Sequence, residues 1–439
     1  MLRSFIGKFC EMNSQNRNLL FLLPVLAVYF LVILFLFWDI SSIPFHPDES
    51  TQLYMSGDFQ KLLHSPGLLA WTPENPDPRA GYRLLDAPLS RYLIGLGLAI
   101  SHLPSVPADW DWSKTWVDNY KAGAVPAEQV LKIGRLVTTS LIPLSMLFVF
   151  LTGRALGGIL TGSIAGIFLG LNMLVLLHGR RAMAESALLF GISLALWGFI
   201  HGARHPWLAG LGAALAFNAK QSAFALTPIG LLSVIWIVEG SDNVNKKRLV
   251  HILQYCGVYL VIFILLNPFL WSHPVEALKA SWEKRQDLLN RQLKESLPGE
   301  IGQSQQSIST RTLLLTANLY IIPPQFFEVG NYRSQTESQA SEYLAVIGHQ
   351  LGRGFFGGGL LFALTLAGIL LGFRLAKNPE PSFRRSFLLI FLAMVFQAMA
   401  LIIWVPLPWQ RYVIPLVPYA CIWPAFAIRR FTSIWVRPG

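Results

Sequence analysis

The chain has 439 residues, 53% of them hydrophobic and only 13% charged, with a formal net charge of +11 and a mean hydropathy of +0.47. Soluble domains carry about 25% charged residues. Half that share, spread over the whole length, leaves too little polar surface for a water-soluble globule, so lipid must be the solvent for much of the chain and soluble enzyme classes are excluded. The basic residues sit in short clusters between apolar runs rather than on one face or tail, which excludes nucleic acid as a partner and makes the clusters signals of membrane topology. The three cysteines, Cys10, Cys256 and Cys421, are far apart and show no CxxC spacing, so they suggest neither a disulfide framework nor a zinc site.

Residues 19–38 are uncharged, longer than the roughly 7–15 residues of a signal-peptide core and without a small-residue cleavage site after them; they read as a retained first span. Further uncharged runs of membrane length fall at 136–153, 155–177, 186–200, 206–219, 221–238, 252–272, 354–373, 386–410 and 412–428. The fold class expected is an all-α polytopic membrane protein of about ten transmembrane helices. The apolar stretch 88–104 is excluded from the spans by charge. If it does not cross, Arg3, Lys8, Arg17, Arg154, Arg204, Lys246, Lys247, Arg248, Arg374, Lys377, Arg384, Arg385, Arg429, Arg430 and Arg437 all fall on one side, with only four acids. The positive-inside rule makes that side cytoplasmic and puts both termini there. Residues 88–104 then lie in the outer interface, as does 313–327, which Pro323-Pro324 would interrupt.

This topology divides the chain into a membrane core over 1–272 with a first external loop at 39–130, a second external loop or small subdomain at 273–353, and C-terminal spans over 354–439. The first loop carries eleven acids against six Lys/Arg. No internal repeat is evident, which disfavours an inverted-repeat transporter.

Several residue groups could carry chemistry. Phe45-His46-Pro47-Asp48-Glu49-Ser50 opens the first loop. Adjacent carboxylates at a membrane surface persist when exposed, paired, metal-bound or used in proton transfer; Pro47-Asp48-Glu49 equally suits a plain helix N-terminus. Asp86 and Arg91 flank a turn into an apolar helix. Arg180 and Arg181 sit in a short outer turn against the positive-inside trend. With Glu185 four residues after Arg181, they form either an ion pair on one helix face or a phosphate site beside a metal or donor ligand. Lys220 stands between two spans, as a snorkelling residue or a phosphate ligand. Arg411 and Tyr412 close the ninth span, as an interface anchor or a binding element. The topology puts Asp48, Glu49, Asp86, Arg180, Arg181, Glu185, Lys220 and Arg411 on one face, where cations could hold a phosphate while carboxylates hold a metal or take a proton.

The order and spacing of these motifs resemble the C-type glycosyltransferase superfamily (GT-C), near the protein O-mannosyltransferases and the lipid A aminoarabinose transferases. The resemblance rests on Asp48-Glu49 after span one; on Asp86, Pro88, Leu89 and Arg91 before an apolar helix; on Gly134-Arg135-Leu136; on Arg181 and Glu185; on the Gly-rich helix ending at Lys220; and on Arg411, Tyr412, Pro415 and Pro418. The chain departs from the pattern at Ala87, where the family usually has proline, and at Glu185, where aspartate is common. The resemblance implies a membrane glycosyltransferase. It would move a sugar from a polyprenyl-phosphate donor to a lipid, glycan or protein hydroxyl on the outer face, in a bacterial inner membrane. It implies Asp48 as catalytic base with Glu49 supporting it. Asp86, Arg91, Arg180, Arg181, Glu185, Lys220, Arg411 and Tyr412 would contact substrate, and Asp48 and Glu185 would be ligands for a divalent metal ion. The competing readings are a transporter or flippase of a lipid-linked sugar, which should show polar residues midway through several spans, and a non-catalytic scaffold.

Overall fold

The computed structural model describes residues 14–236, 243–295, 307–328, 330–377, 380–405, 407 and 409–435. Arg3, Lys8 and Arg437 of the topology argument, the end of the 221–238 run and the 296–306 part of the second loop lie outside these residues. The described chain is helical throughout, with no strand. Its main helices are α1 (Ser14–Phe37), α2 (Pro47–Met55), α3 (Leu89–Ile100), α4 (Glu128–Gly170), α5 (Glu185–His201), α6 (Pro206–Ala219), α7 (Thr227–Ile235), α8 (Val244–Leu266), α9 (Pro274–Glu295), α10 (Ile308–Tyr320), α11 (Arg333–Ala345), α12 (Gly354–Ala376), α13 (Pro381–Trp404) and α14 (Val417–Trp435). Short helices occupy the first loop, and 3₁₀ turns at Gln221–Leu226 and Gln410–Leu416 precede α7 and α14.

The chain is an integral membrane protein. Five segments among the described residues are long and apolar enough to cross a bilayer: Glu128–Gly170, Val244–Leu266, Gly354–Ala376, Pro381–Trp404 and Gln410–Thr432. Shorter apolar helices cover Leu23–Phe37, Leu89–Ile100, Glu185–His201 and Gln221–Ile235. α8 leaves Leu253, Leu260, Val261 and Leu265 exposed, and α12 leaves Leu360, Leu366 and Leu370 exposed; apolar residues are at home on such surfaces only where hydrocarbon is the solvent. α4 contains the 136–153 run and most of the 155–177 run, and it kinks inside the second at Gly158, which adopts φ 84° and ψ −177°, a backbone shape essentially reserved for glycine. The 88–104 stretch contributes one of these shorter apolar helices. Its helix α3 has 12 residues, about 18 Å at ~1.5 Å per residue, and buries Leu89, Ile94 and Leu98.

What positions the site is the packing of α4, α5 and α6. α5 and α6 run antiparallel with small residues facing one another. A Cβ placed on Gly212 would lie 2.5 Å from Ala195 Cα, and one on Gly191 would lie 2.5 Å from Ala216 Cα. In hydrocarbon, where apolar burial gives helices no advantage over lipid, such close approach supplies much of the association energy. The antiparallel pairing brings the first residue of α5, Glu185, next to the residue that follows α6, Lys220. At the opposite end, Arg385 of α13 donates to the carbonyls of Ile200 (2.7 Å), Ser233 (2.6 Å) and Trp236 (3.0 Å). It thereby satisfies terminal carbonyls of α5 and α7 that would otherwise be unpaired.

Gly212→Leu should prevent α5 and α6 from closing and lower thermal stability in detergent, by at least the ~1–3 kcal/mol of ordinary overpacking. Gly257→Leu is the control, since a Cβ at Gly257 meets nothing within 4 Å. Equal melting temperatures for the two variants, read by fluorescence-detected size exclusion after heating, would contradict this packing.

Candidate active site

The site begins at the N-terminus of α2. His46 is its N-cap. The ring Nδ1 accepts the Asp48 N–H at 3.1 Å, and the Glu49 carboxylate accepts the His46 N–H at 3.1 Å. This is a reciprocal capping box with His in the place usually taken by Ser or Thr. Pro47, at the first helical position, has no N–H to leave unsatisfied. The reading of Pro47-Asp48-Glu49 as a helix N-terminus is therefore correct, and it fixes where the two carboxylates go.

They go to different places. Glu49 is fully buried. Besides His46 it accepts from Arg135 Nε and Nη2, both at 2.8 Å, and from the Ala182 N–H at 2.9 Å. A carboxylate offers about four acceptor positions, and all are taken. Burial pushes the Glu49 carboxyl upward, and the Arg135 guanidinium more than reverses this, holding it below the ordinary glutamate value. Glu49, expected beside Asp48 as a second catalytic carboxylate, is thus committed to joining α2, α4 and the turn before α5. Asp48 is one-third exposed (33%). It pairs with Arg411, whose other terminal nitrogen, Nη2, reaches Glu328 Oε2 at 2.9 Å. Burial works to raise the Asp48 carboxyl, and the Arg411 guanidinium overrides it, leaving the pKa below the ordinary aspartate value.

On the other side, Lys220 Nζ lies 2.9 Å from Glu185 Oε1 and 4.6 Å above the centre of the Tyr412 ring. Arg411 lies 5.0 Å over Trp409 and 5.5 Å over Tyr412, so the Tyr412 ring sits between the two cations. Glu185 Oε2 is buried without a hydrogen bond. Glu185 stands in the first turn of α5, where the helix dipole favours an anion. The Arg181–Glu185 ion pair that their spacing allowed is replaced by Lys220–Glu185.

Three expected substrate ligands are otherwise engaged. Arg180 donates to the Trp38 carbonyl (2.8 Å) and faces His349 Nε2 (3.3 Å). Arg181 donates to the Pro44 carbonyl (3.1 Å). Both are fully buried, and they pin the segment between α1 and α2. Arg91 donates to the Asp86 carbonyl at 3.0 Å and lies 3.7 Å from Asp58. It shapes the turn that carries Asp86, which α9 covers through Arg285, a donor to the Leu85 carbonyl. The Asp86 side chain is half-buried. Burial raises its pKa above the ordinary value, and the negative charges of Asp48 and Asp109 add to this against Arg285 and Arg91.

The structure therefore gathers Asp48, Glu185, Lys220, Arg411 and Tyr412, with Asp86 nearby. It adds His46, Arg135 and Glu328, which sequence reasoning left out of the site. His46 and Arg135 stood inside motifs already singled out; Glu328 follows Phe326-Phe327 in the second loop and carries no sequence signal of its own.

Asp48 and Glu185, the expected metal ligands, are each paired with a cation of the protein, Arg411 and Lys220. Among the described residues no group of three His, Cys, Asp or Glu side chains converges as a ligand set; an ion held by one or two carboxylates would complete its shell with substrate phosphate and water.

The family model for dolichyl-phosphate-mannose-protein mannosyltransferase matches residues 80–277, somewhat less than half the chain. No curated protein matches it by sequence. Among solved structures, it is similar to the oligosaccharyltransferase of Archaeoglobus fulgidus in the apo form, with a TM-score of 0.53 and 14% identity over 94% of this chain and 51% of that one. The same enzyme in complex with Zn and sulfate gives a TM-score of 0.51 at 14% identity, over 94% of this chain and 49% of that one. ArnT from Cupriavidus metallidurans bound to undecaprenyl phosphate gives a TM-score of 0.52 at 14% identity, covering 95% of this chain and 61% of that one. The chain shares its fold with these solved structures. It spans about half to three-fifths of the length of these solved chains.

Glu49→Ala should strand the buried Arg135 and destabilise the protein by about 3–5 kcal/mol, the usual cost of breaking a buried ion pair. Asp48→Asn should leave the melting temperature nearly unchanged. Because the Glu49 pKa is depressed on folding, its contribution is complete above the unfolded value of about 4.3 and is lost as pH falls through the folded value. The acid-side decline in wild-type melting temperature should therefore be shallower in Glu49→Ala. Comparable losses in the two variants would refute the division of roles.

Proposed function

We propose that the protein is a membrane glycosyltransferase that moves a sugar from a polyprenyl-phosphate donor to an acceptor hydroxyl. The observation that carries this reading is the pairing of a partly exposed carboxylate, Asp48, with two cations, Arg411 and Lys220, around one aromatic side chain, Tyr412. A glycosyl donor of this class leaves behind a lipid phosphate. The leaving group needs no proton if its charge is met by fixed cations, while the acceptor oxygen needs an aligned base. Asp48 takes the hydroxyl proton as the acceptor oxygen bonds to the anomeric carbon, and the bond from that carbon to the phosphate oxygen breaks toward Lys220 and Arg411. Asp86 stands close enough to Asp48 to border the acceptor.

A small cleft between α10, α13 and the Gln410–Leu416 turn, lined by Leu314, Leu315, Leu401, Val405, Trp409 and Tyr412 together with Arg311 and Asn318, would take the first part of an isoprenoid chain. Trp409 and Tyr412 thus form its wall and also touch the cations, so apolar tail and phosphate could bind continuously. The likeness to ArnT bound to undecaprenyl phosphate and the match to a mannosyltransferase family model support the donor class. A divalent ion at Asp48 and Glu185 would have to displace Arg411 and Lys220, and would itself help to neutralise the donor phosphate. Ten crossings with both termini cytoplasmic would put the site on the outer face, a placement that rests on the positive-inside count; a bacterial inner membrane is the setting proposed for it.

Purified protein given radiolabelled undecaprenyl- and dolichyl-phosphate sugars with a crude membrane acceptor fraction should transfer label. Asp48→Asn should lower the rate by about 10²–10⁴-fold, the usual contribution of a general base, while still binding undecaprenyl phosphate. Lys220→Ala should cost about 10²–10³-fold, as for loss of one preorganised donor to a developing anion. Undiminished transfer by Asp48→Asn would remove it as the base. Lipid binding without any transfer or donor hydrolysis would favour a lipid-sugar transporter.

A further inference from the structure

Arg411 is shared between two carboxylates that are not equivalent. Glu328 is 6% exposed and Arg411 is 7% exposed, whereas Asp48 is 33% exposed. Glu328 also faces His46, whose Nδ1 accepts the Asp48 N–H and whose Nε2 lies 3.6 Å from Glu328 Oε2, beyond hydrogen-bond distance. Glu328 is therefore buried against Arg411 beside the capping residue of α2, while Asp48 has a side open to the cleft.

The charges do not close if a phosphate is added to this arrangement. Arg411 carries one positive charge and already faces two carboxylates. Lys220 is paired with Glu185, and Arg181, a further cation whose charge reaches Glu328, is fully buried and bound to the Pro44 carbonyl. A phosphodiester that takes an arm of Arg411 must displace a carboxylate, since like charges held in one buried site repel strongly. Resting on the glycosyl-transfer reading above, we propose that Glu328 is a positioning residue that pins Arg411, so that the donor phosphate displaces Asp48 and not Glu328 from the guanidinium. The resting enzyme then keeps its base masked in an ion pair, and donor binding unmasks it. With no phosphate bound, Asp48 is a poor acceptor for the proton of water or of an acceptor hydroxyl. With phosphate bound, the Asp48 carboxylate is released next to the anomeric carbon.

The test is Glu328→Gln, which keeps shape and hydrogen-bonding capacity but removes the charge, with Glu328→Asp as the conservative partner. In Glu328→Gln the cleft is one charge less negative, so undecaprenyl phosphate binds more tightly and the donor KM falls, each several-fold. Asp48 keeps Arg411 to itself, so kcat falls about tenfold or more, the order expected when a neighbouring charge shifts a base by one or more pKa units. Glu328→Asp restores most of kcat. A residue that merely shapes the cleft would raise KM, and Asp would rescue no better than Gln. Unchanged kcat in Glu328→Gln, or a raised donor KM, overturns the proposal. If the wild-type chain transfers no sugar from any donor, the glycosyltransferase reading fails. Binding of undecaprenyl phosphate, followed by tryptophan fluorescence from Trp409 beside Arg411, then still decides whether Glu328 opposes the phosphate: tighter binding by the variant supports the pin, and equal or weaker binding removes it.

Discussion

The site depends on one buried carboxylate. Glu49 receives hydrogen bonds from the helix that contains it, from Arg135 of α4 and from the Ala182 amide before α5. Each of those elements carries or adjoins part of the cleft. An ion pair with no solvent is favourable only when nearly every lone pair is satisfied, and Glu49 meets that condition. Moving any of the three elements would leave an unpaired charge or amide in an apolar setting, so their relative placement is strongly specified. Asp48, one residue earlier on the same helical turn, inherits that placement without sharing in the bonds. This division of labour lets an exposed reactive group stand on a rigid support.

The same logic orders the other charges. Arg180 and Arg181 bind backbone carbonyls in the link between α1 and α2, Arg91 binds the carbonyl of Asp86, and Arg385 binds the ends of α5 and α7. Guanidinium groups suit this task because their several donors form a fixed fork that remains charged even where water is scarce. Lys220 and Arg411 differ in facing carboxylates and aromatic rings around a cleft, an arrangement from which a ligand anion could recruit them.

Much of the fold was legible because the solvent is hydrocarbon. Runs free of charge mark helices when every backbone group must be satisfied internally. The start of α2 was legible too, through proline at its first position and glutamate at its third. The separate fates of Asp48 and Glu49 were not, because they depend on Arg135 and Arg411, 86 and 363 positions away in the chain. Arg180 and Arg181 stood out because they defied the positive-inside trend; their bonds to the Trp38 and Pro44 carbonyls are contacts that no spacing rule reveals. Glu328 was invisible for a related cause: a single acid in a polar loop becomes informative only when a distant arginine is seen beside it.

The 363-position separation of Asp48 from Arg411 has a consequence for how the protein is made. A polypeptide threaded into a membrane from its N-terminus presents its carboxylate with the first segments and its guanidinium with the last. Until the segment between α13 and α14 is inserted, α2 carries an acid whose counter-ion has not been synthesised. A ribosome product that stops before Arg411 would embed its earlier helices in the bilayer with Asp48 still unpaired.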